Sequence, residues 1–554
     1  MKVTDAVAQV LASLGADTVF GLVGSGNFHM TNALIERGAR FIPARHECGA
    51  ASMADGWARM TGKPGIVSLH QGPGFTNALT AITEAAKSRT PMLVLAADVA
   101  GSATHSNFRI DLGALTRGVG AVEARLHSPS FAIDDAVRAY KLAAEDRRTV
   151  VLGLPLDVQA AECTPPPEAA PDAAIPSWAK RSGAVPDEIG VNRLAAAIRR
   201  AERPVFIAGR GARIAGASAD LERLADRCGA LLATSAAAKG LFHGSAWDLD
   251  VSGGFASPLA AELIAGADLI VGWGCSLNMW TTRHGALIGP GATLVQVDSE
   301  KGALGAHCQV NLGITGDVAL TAEAVAAVLG DGGNQLGYRS GELRDRIARE
   351  VRWRDVPYDD ESDGTAIDPR TLSIALDDML PAERIVAIDS GNFIGYPAMF
   401  LSVPDADGFC FTQAYQSVGL GLASAIGSAI ARPDRLVVAA LGDGGALMGI
   451  SELETAVRLH LPMVIVIYDD EAYGAEVHHF GPEGYPLGTV KFPPVDLAQI
   501  GRGFGCAAAR VRQKGDLAPV QEWLEGPRDR PIVIDAKVTA RHGSWWLEEA
   551  FRGH

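Results

Sequence analysis

With 554 residues, 48% of them hydrophobic, the chain is long enough for about three or four domains. A formal net charge of −15 argues against a nucleic-acid partner, which needs a basic face, and no apolar run is longer than a strand, which argues against a bilayer span. The 7 cysteines are scattered with no Cys-x-x-Cys pair, a pattern of a reduced cytoplasmic protein without a zinc site.

Taken from the start, Met1–Val7 reads as the opening of an amphipathic helix and not as a secretory signal. Strands and helices then alternate to about residue 163, the clearest strands being Phe41–Ala44, Ile66–Leu69, Met92–Leu95 and Val150–Leu152. Cys48 reads as a small buried residue. A Pro- and Ala-rich linker covers Thr164 to Asp187. Residues 188–330 repeat the rhythm with strands at Val205–Ala208, Leu269–Val271 and Leu294–Val297, the last closed by Asp298. A second linker begins at Gly330–Asn334 and holds a charged helix over Gly341–Trp353 and the acidic run Asp359–Gly364. A third alternating block runs over 365–540, followed by a tail at 541–554 in which Trp545-Trp546 form either a lid or interface patch or an ordinary docking contact. The fold class expected is α/β with three doubly wound parallel-sheet domains. Gly24-Ser25-Gly26 and Gly209-Arg210-Gly211 start dinucleotide-type glycine patterns, but His29 and Ile214 stand where the third glycine belongs, so three dinucleotide folds are not supported.

The densest chemistry lies in the third block. Leu436–Leu441 is a short apolar run that stops at Gly442-Asp443-Gly444-Gly445, and Met463–Tyr468 is a second such run ending at Asp469-Asp470. Between them, Ser451-Glu452-Leu453-Glu454 fits a capping box that opens a helix. A right-handed strand–helix–strand crossover puts Asp443 and Asp470 at one carboxyl edge, where open α/β sheets bind ligands. Glycines that let backbone N–H groups approach an anion, beside two hard carboxylates, suit Mg²⁺ carrying a diphosphate.

This half-motif resembles the Gly-Asp-Gly…Asn-Asn signature of thiamine diphosphate enzymes. Arg45-His46-Glu47 through Ala54-Asp55-Gly56-Trp57-Ala58-Arg59 resembles the Arg-His-Glu…Ala-Asp-Gly-Tyr-Ala-Arg segment of the acetolactate synthase, pyruvate decarboxylase and benzoylformate decarboxylase superfamily. Phe20–Asn27, Gly72-Pro73-Gly74-Phe75-Thr76-Asn77 and Asp389-Ser390-Gly391-Asn392 resemble further turns of that superfamily, in its order, from about Val3 to Val538. One departure is Asp469-Asp470 in place of Asn-Asn, which adds negative charge beside a diphosphate.

The resemblance implies three roles for the blocks: pyrimidine binding (1–163), central scaffold (188–330), and diphosphate and Mg²⁺ binding (365–540). It implies thiamine diphosphate and Mg²⁺ as cofactors, the metal held by Asp443, Asp470 and the Ala472 carbonyl. Gly391, Asn392, Gly442, Gly444, Gly445, Tyr473, Asn77 and a Val418 pivot complete the cofactor contacts. Glu47 takes the position of the carboxyl that acts on the cofactor's aminopyrimidine; alone, it would be read as a Glu complementing a helix dipole. Glu476 is either a proton donor, as in pyruvate decarboxylase, or a helix-surface residue. His70 and Ser25 resemble substrate-contacting positions, with His70 also open to a structural reading, and at most one of His478 and His479 faces the site. The flavin-contacting segment of some members is replaced by Ser276–Arg283, which speaks against FAD. The activity implied is decarboxylation of a 2-oxo acid, with protonation to an aldehyde or transfer to an aldehyde or ketone acceptor. The rivals are an acyl-CoA lyase or hydrolase of the same superfamily, and a non-catalytic cofactor-binding regulator. The resemblance also implies a homodimer or homotetramer, with Glu47 meeting the metal motif across a subunit interface.

Overall fold

The computed structural model describes residues 1–165, 183–330 and 337–547. Most of the first linker, the opening of the second, and the tail beyond residue 547 lie outside the described residues. Three six-stranded parallel sheets follow one another along the chain. The first contains β1 (Thr18–Leu22), β2 (Arg40–Pro43), β3 (Gly65–Leu69), β4 (Met92–Asp98), β5 (Val122–Arg125) and β6 (Thr149–Pro155), in the spatial order 2-1-3-4-6-5. The second contains β7 (Pro204–Ala208), β8 (Leu231–Thr234), β9 (Asp248–Val251), β10 (Leu269–Trp273), β11 (Thr293–Asp298) and β12 (Leu312–Thr315), ordered 12-11-10-7-8-9. The third contains β13 (Arg384–Ile388), β14 (Phe409–Cys410), β15 (Leu436–Gly442), β16 (Met463–Asp469), β17 (Ala507–Val511) and β18 (Ile532–Lys537), ordered 14-13-15-16-18-17.

These strands are the short apolar runs of the sequence. β3, β4 and β6 are buried along their whole length, as expected for strands covered by helices on both faces. In each sheet the chain builds outward in one direction and then reverses. The reversal lies between β1 and β3, between β7 and β10, and between β13 and β15. Such switch points open a crevice at the carboxyl ends of the flanking strands. In the first sheet that crevice receives Ser25 and His70; in the third it receives Asp389–Asn392 and Asp443–Gly445.

The first and third sheets share one hydrophobic core. Its centre is the contact of α1 (Glu47–Thr61) with α2 (Gly421–Ala431). The two helices approach as closely as they do because glycine stands at the crossing. A Cβ on Gly56 would lie 2.2 Å from the Ser424 carbonyl oxygen, and one on Gly427 would lie 2.0 Å from the Met53 carbonyl oxygen. Neither neighbour is a side chain that can swing away. Gly427→Ala is therefore expected to destabilise the protein by about 1–3 kcal/mol through forced separation of the helices, read as a lower melting temperature.

A buried ionic network adds direction to this contact. Arg59 donates to Asp55 (2.8 Å), to Glu84 (2.9 Å) and to the Phe411 carbonyl oxygen (2.6 Å). Glu84 in turn accepts from the backbone N–H groups of Ala414 and Tyr415. The loop that leads into Val418 is thus held by charges from the first unit.

One local expectation fails. Ser451 makes no capping hydrogen bond to the helix Glu452–Arg458. Glu452 is drawn away instead, its Oε1 accepting from the backbone N–H groups of Arg45 and His46 at 3.0 Å each, while Glu454 pairs with Arg45 and Arg458. The acids serve the contact between units. No helix among the described residues is long and apolar enough to cross a membrane.

Candidate active site

β15 and β16 are adjacent parallel strands in register from Val437↔Met463 to Gly442↔Tyr468. Their ends bring Asp443 and Asp470 to one edge, as the crossover argument requires. Asp443 is the first residue of a short helix, Asp443–Met448, where a carboxylate complements the unpaired N–H groups. Burial pushes the carboxyl groups of Asp443 and Asp470 well above the usual range, and their mutual repulsion and that of Asp469 push the same way. Neither oxygen of Asp470 meets a protein donor in hydrogen-bonding geometry, although the nearby Asn392 amide opposes the rise. Buried acids with unfilled acceptor capacity fit a hard cation. No cluster of three or more His, Cys, Asp or Glu side chains that could hold a metal occurs among the described residues. A hard cation held by this pair would need further oxygens from backbone and ligand.

The glycines beside Asp443 are there for space. A Cβ on Gly444 would lie 2.7 Å from the Tyr473 ring, and one on Gly445 would lie 2.2 Å from Asp389 Oδ2. Asp389 is a residue whose role the sequence reading passed over. It follows β13, is buried, and accepts from Ser390 N–H (2.8 Å) and Gly419 N–H (3.0 Å). Burial pushes its carboxyl up to about 6. Asp389 pins the Val418-Gly419 turn over the switch point; an acid closing an apolar strand before Ser-Gly-Asn was the available signal. Asn392 is likewise fixed, by Ser544 Oγ at 3.1 Å from both its carbonyl oxygen and its Oδ1.

A cavity of about 400 Å³ opens between the second and third units. Gly391, Gln416, Val418 and Glu476 of the third unit, Asn278 and Trp280 of the second, and Trp546 of the tail line it. Glu476 is the only ionisable residue on this wall among the described residues. It sits in the first turn of the helix Gly474–Phe480 and is half-buried. His479 is not on the wall; its ring packs edge-on against Phe480 at 4.6 Å. His478 turns toward Gly543, so neither histidine faces this cavity.

The tail docks onto the fold. Trp546 is buried against Phe255 and Tyr396, and Trp545 stacks on Trp353 beneath the Arg283 guanidinium. Arg541 and His542 tie the tail to Asp363 and Glu361 of the acidic run. Of the two sequence readings, docking holds for Trp545, while Trp546 both docks and shapes the cavity.

The remaining predicted residues form a second group, on the first unit. Glu47 opens α1 and is buried, with Asn77 Nδ2 donating to its Oε2 at 3.0 Å. His70 follows β3, and its Nδ1 accepts from Gly26 N–H at 3.1 Å, which places the ring proton on Nε2. Burial lowers the His70 pKa against the weaker opposing pull of Glu47, so the ring is neutral at pH 7. Ser25 is exposed in the neighbouring glycine turn. Gln71 was missed: it is buried beside Gly26 with its Oε1 unpartnered. No residue of the first unit lines the cavity that holds Glu476.

Comparison with known proteins gives three domain matches in chain order. The N-terminal TPP binding domain of thiamine pyrophosphate enzymes matches residues 1–117, the central domain 191–325, and the C-terminal TPP binding domain 389–536. A probable 2-ketoarginine decarboxylase of Pseudomonas aeruginosa is 31% identical, the alignment covering 94% of this chain and 90% of that one. A sulfoacetaldehyde acetyltransferase of Rhodobacter capsulatus is 28% identical over 86% and 83% of the two chains, and a catabolic acetolactate synthase of Raoultella terrigena 27% over 96% and 94%.

Proposed function

Since the chain belongs to the family of thiamine pyrophosphate-dependent enzymes, we propose that it cleaves the bond next to a carbonyl with thiamine diphosphate and Mg²⁺, without FAD, decarboxylating a 2-oxo acid. The observation that carries the reaction class is the lone carboxyl of Glu476 on the wall of an otherwise uncharged cavity beside Val418. A carboxyl so placed is the one group on that wall able to pass a proton to the carbon left by CO₂. That favours release of an aldehyde over transfer to a second carbonyl.

Each unit then has a task. Residues 1–163 hold the pyrimidine ring, 188–330 are the scaffold that walls the cavity, and 365–540 hold the diphosphate. Asp443, Asp470 and the Ala472 carbonyl hold Mg²⁺. Gly391, Asn392, Gly442, Gly444, Gly445 and Tyr473 flank the diphosphate, and Val418 props the space between the two rings of the cofactor. When bound, thiamine diphosphate supplies a nucleophilic carbon and an electron sink. Glu47, oriented by Asn77, shares a proton with the pyrimidine. Neutral His70 offers an Nε2–H to the substrate, with Ser25 beside it. The site is completed by pairing two copies of the chain, so the active form is a homodimer or homotetramer.

Two measurements test the reading. Calorimetry should show thiamine diphosphate binding that depends on Mg²⁺. A panel of 2-oxo acids should show CO₂ release, with the aldehyde identified by mass spectrometry with and without an acceptor. Poor turnover of 2-oxo acids carrying a second carboxylate is expected, because the cavity wall, among the described residues, offers them no cation. Cofactor binding without turnover of any 2-oxo acid would favour the non-catalytic regulator.

A further inference from the structure

The Asn-Asn of the resembling family is Asp469-Asp470 here, and the first of these acids has an answer elsewhere in the fold. β16 and β18 are adjacent parallel strands whose register sets Asp469 directly opposite Lys537. Both residues are buried. Lys537 Nζ donates to Asp469 Oδ2 and, at 3.2 Å, to the Val495 carbonyl oxygen. The other oxygen, Asp469 Oδ1, accepts from Glu471 N–H at 3.1 Å. Glu471 is a non-glycine residue at φ 57, a backbone state that needs such local support. The turn it makes presents the Asp470 side chain and the Ala472 carbonyl.

Asp469 therefore does two things at once. It fixes the turn through one oxygen, as an asparagine amide oxygen also can, and it brings a charge that an asparagine does not. Asp469 precedes Asp470 in the chain, and the register that sets Gly442 opposite Tyr468 puts that charge at the same strand edge as Asp443. Lys537 meets the same carboxylate, with Asp535 at 3.7 Å and Glu471 at 3.5 Å as its other acidic neighbours.

We propose that Lys537 is a positioning residue that neutralises Asp469, so that the Asp443–Asp470 pair faces a magnesium diphosphate with the charge it would have beside an asparagine. The inference rests on the cofactor reading above. It makes Asp469 and Lys537 a coupled pair: each is harmful without the other's charge balance, and both can be removed together.

The test is a cycle of Lys537→Met, Asp469→Asn and the double variant, in the full chain. The readout is the dissociation constant of thiamine diphosphate at saturating Mg²⁺ by calorimetry, with thermal melting of the cofactor-free protein as fold control. Lys537→Met is expected to weaken binding by about 10–100-fold, the range typical of groups that orient metal ligands. Asp469→Asn/Lys537→Met is expected to recover to within a few-fold of the parent. If Lys537→Met fails to fold, a double variant that folds and binds still supports the pair. Parent-like binding by Lys537→Met, or a double variant no better than that single one, overturns the inference while leaving the cofactor reading intact. A parent chain that binds no thiamine diphosphate overturns both.

Discussion

Glu47→Gln should retain thiamine diphosphate binding and lose exchange of the cofactor's C2 proton, slowed by about 10²–10⁴-fold. The substitution keeps the size of the side chain and an oxygen for Asn77 Nδ2, so the packing at the start of α1 survives. It removes the buried carboxyl that the proposed function sets against the pyrimidine. His70 does not substitute for it, because its Nδ1 is already occupied by Gly26 N–H. Proton exchange followed by NMR after acid quench separates this chemical effect from weaker binding. Unchanged exchange in a folded variant would show that the proton is handled elsewhere.

The carboxyl edge that carries Asp443 and Asp470 was legible in the sequence for a physical reason. Leu436–Leu441 and Met463–Tyr468 are fully apolar runs, and such runs in a parallel sheet can end only where the chain leaves the core, so the residues after them share an edge. The three-sheet architecture followed from the same signal. What could not be read was which polar residues answer one another across units. Glu452 sits in a convincing capping sequence, yet the N–H groups of Arg45 and His46, some 400 residues earlier, claim its carboxylate. Lys537 was invisible for the same reason: it matters through Asp469, a partner set opposite it by strand order, which local spacing does not encode. His479 shows the opposite error. It was one of an adjacent pair of which at most one was expected to face the site; neither lines the cavity, where Glu476 of the same helix stands.

Mixing two inactive variants, Glu47→Gln and Asp443→Asn, should restore activity once subunits exchange. The geometry is the argument. Ser25, Glu47, His70 and Asn77 form one group on the first unit, while Val418, Glu476 and the acidic pair form another, and the described cavity that holds Glu476 has no wall from the first unit. Both groups sit among exposed large apolar side chains. Phe28 is 54% and Phe108 41% exposed on the first unit, and Tyr415 is 47% and Met448 57% exposed on the third. Exposed apolar residues of this kind fit surfaces that the second copy of the proposed dimer would cover. In a two-fold dimer whose sites each join the first unit of one copy to the third unit of the other, a hybrid of the variants concentrates both lesions in one site and leaves the other whole. With random exchange about half the dimers are hybrids, so about a quarter of the parent activity returns. Exchange demonstrated by mass spectrometry of the intact dimers, with no return of activity, would place Glu47 and Asp443 in the same site of one chain and reject the shared-site assembly.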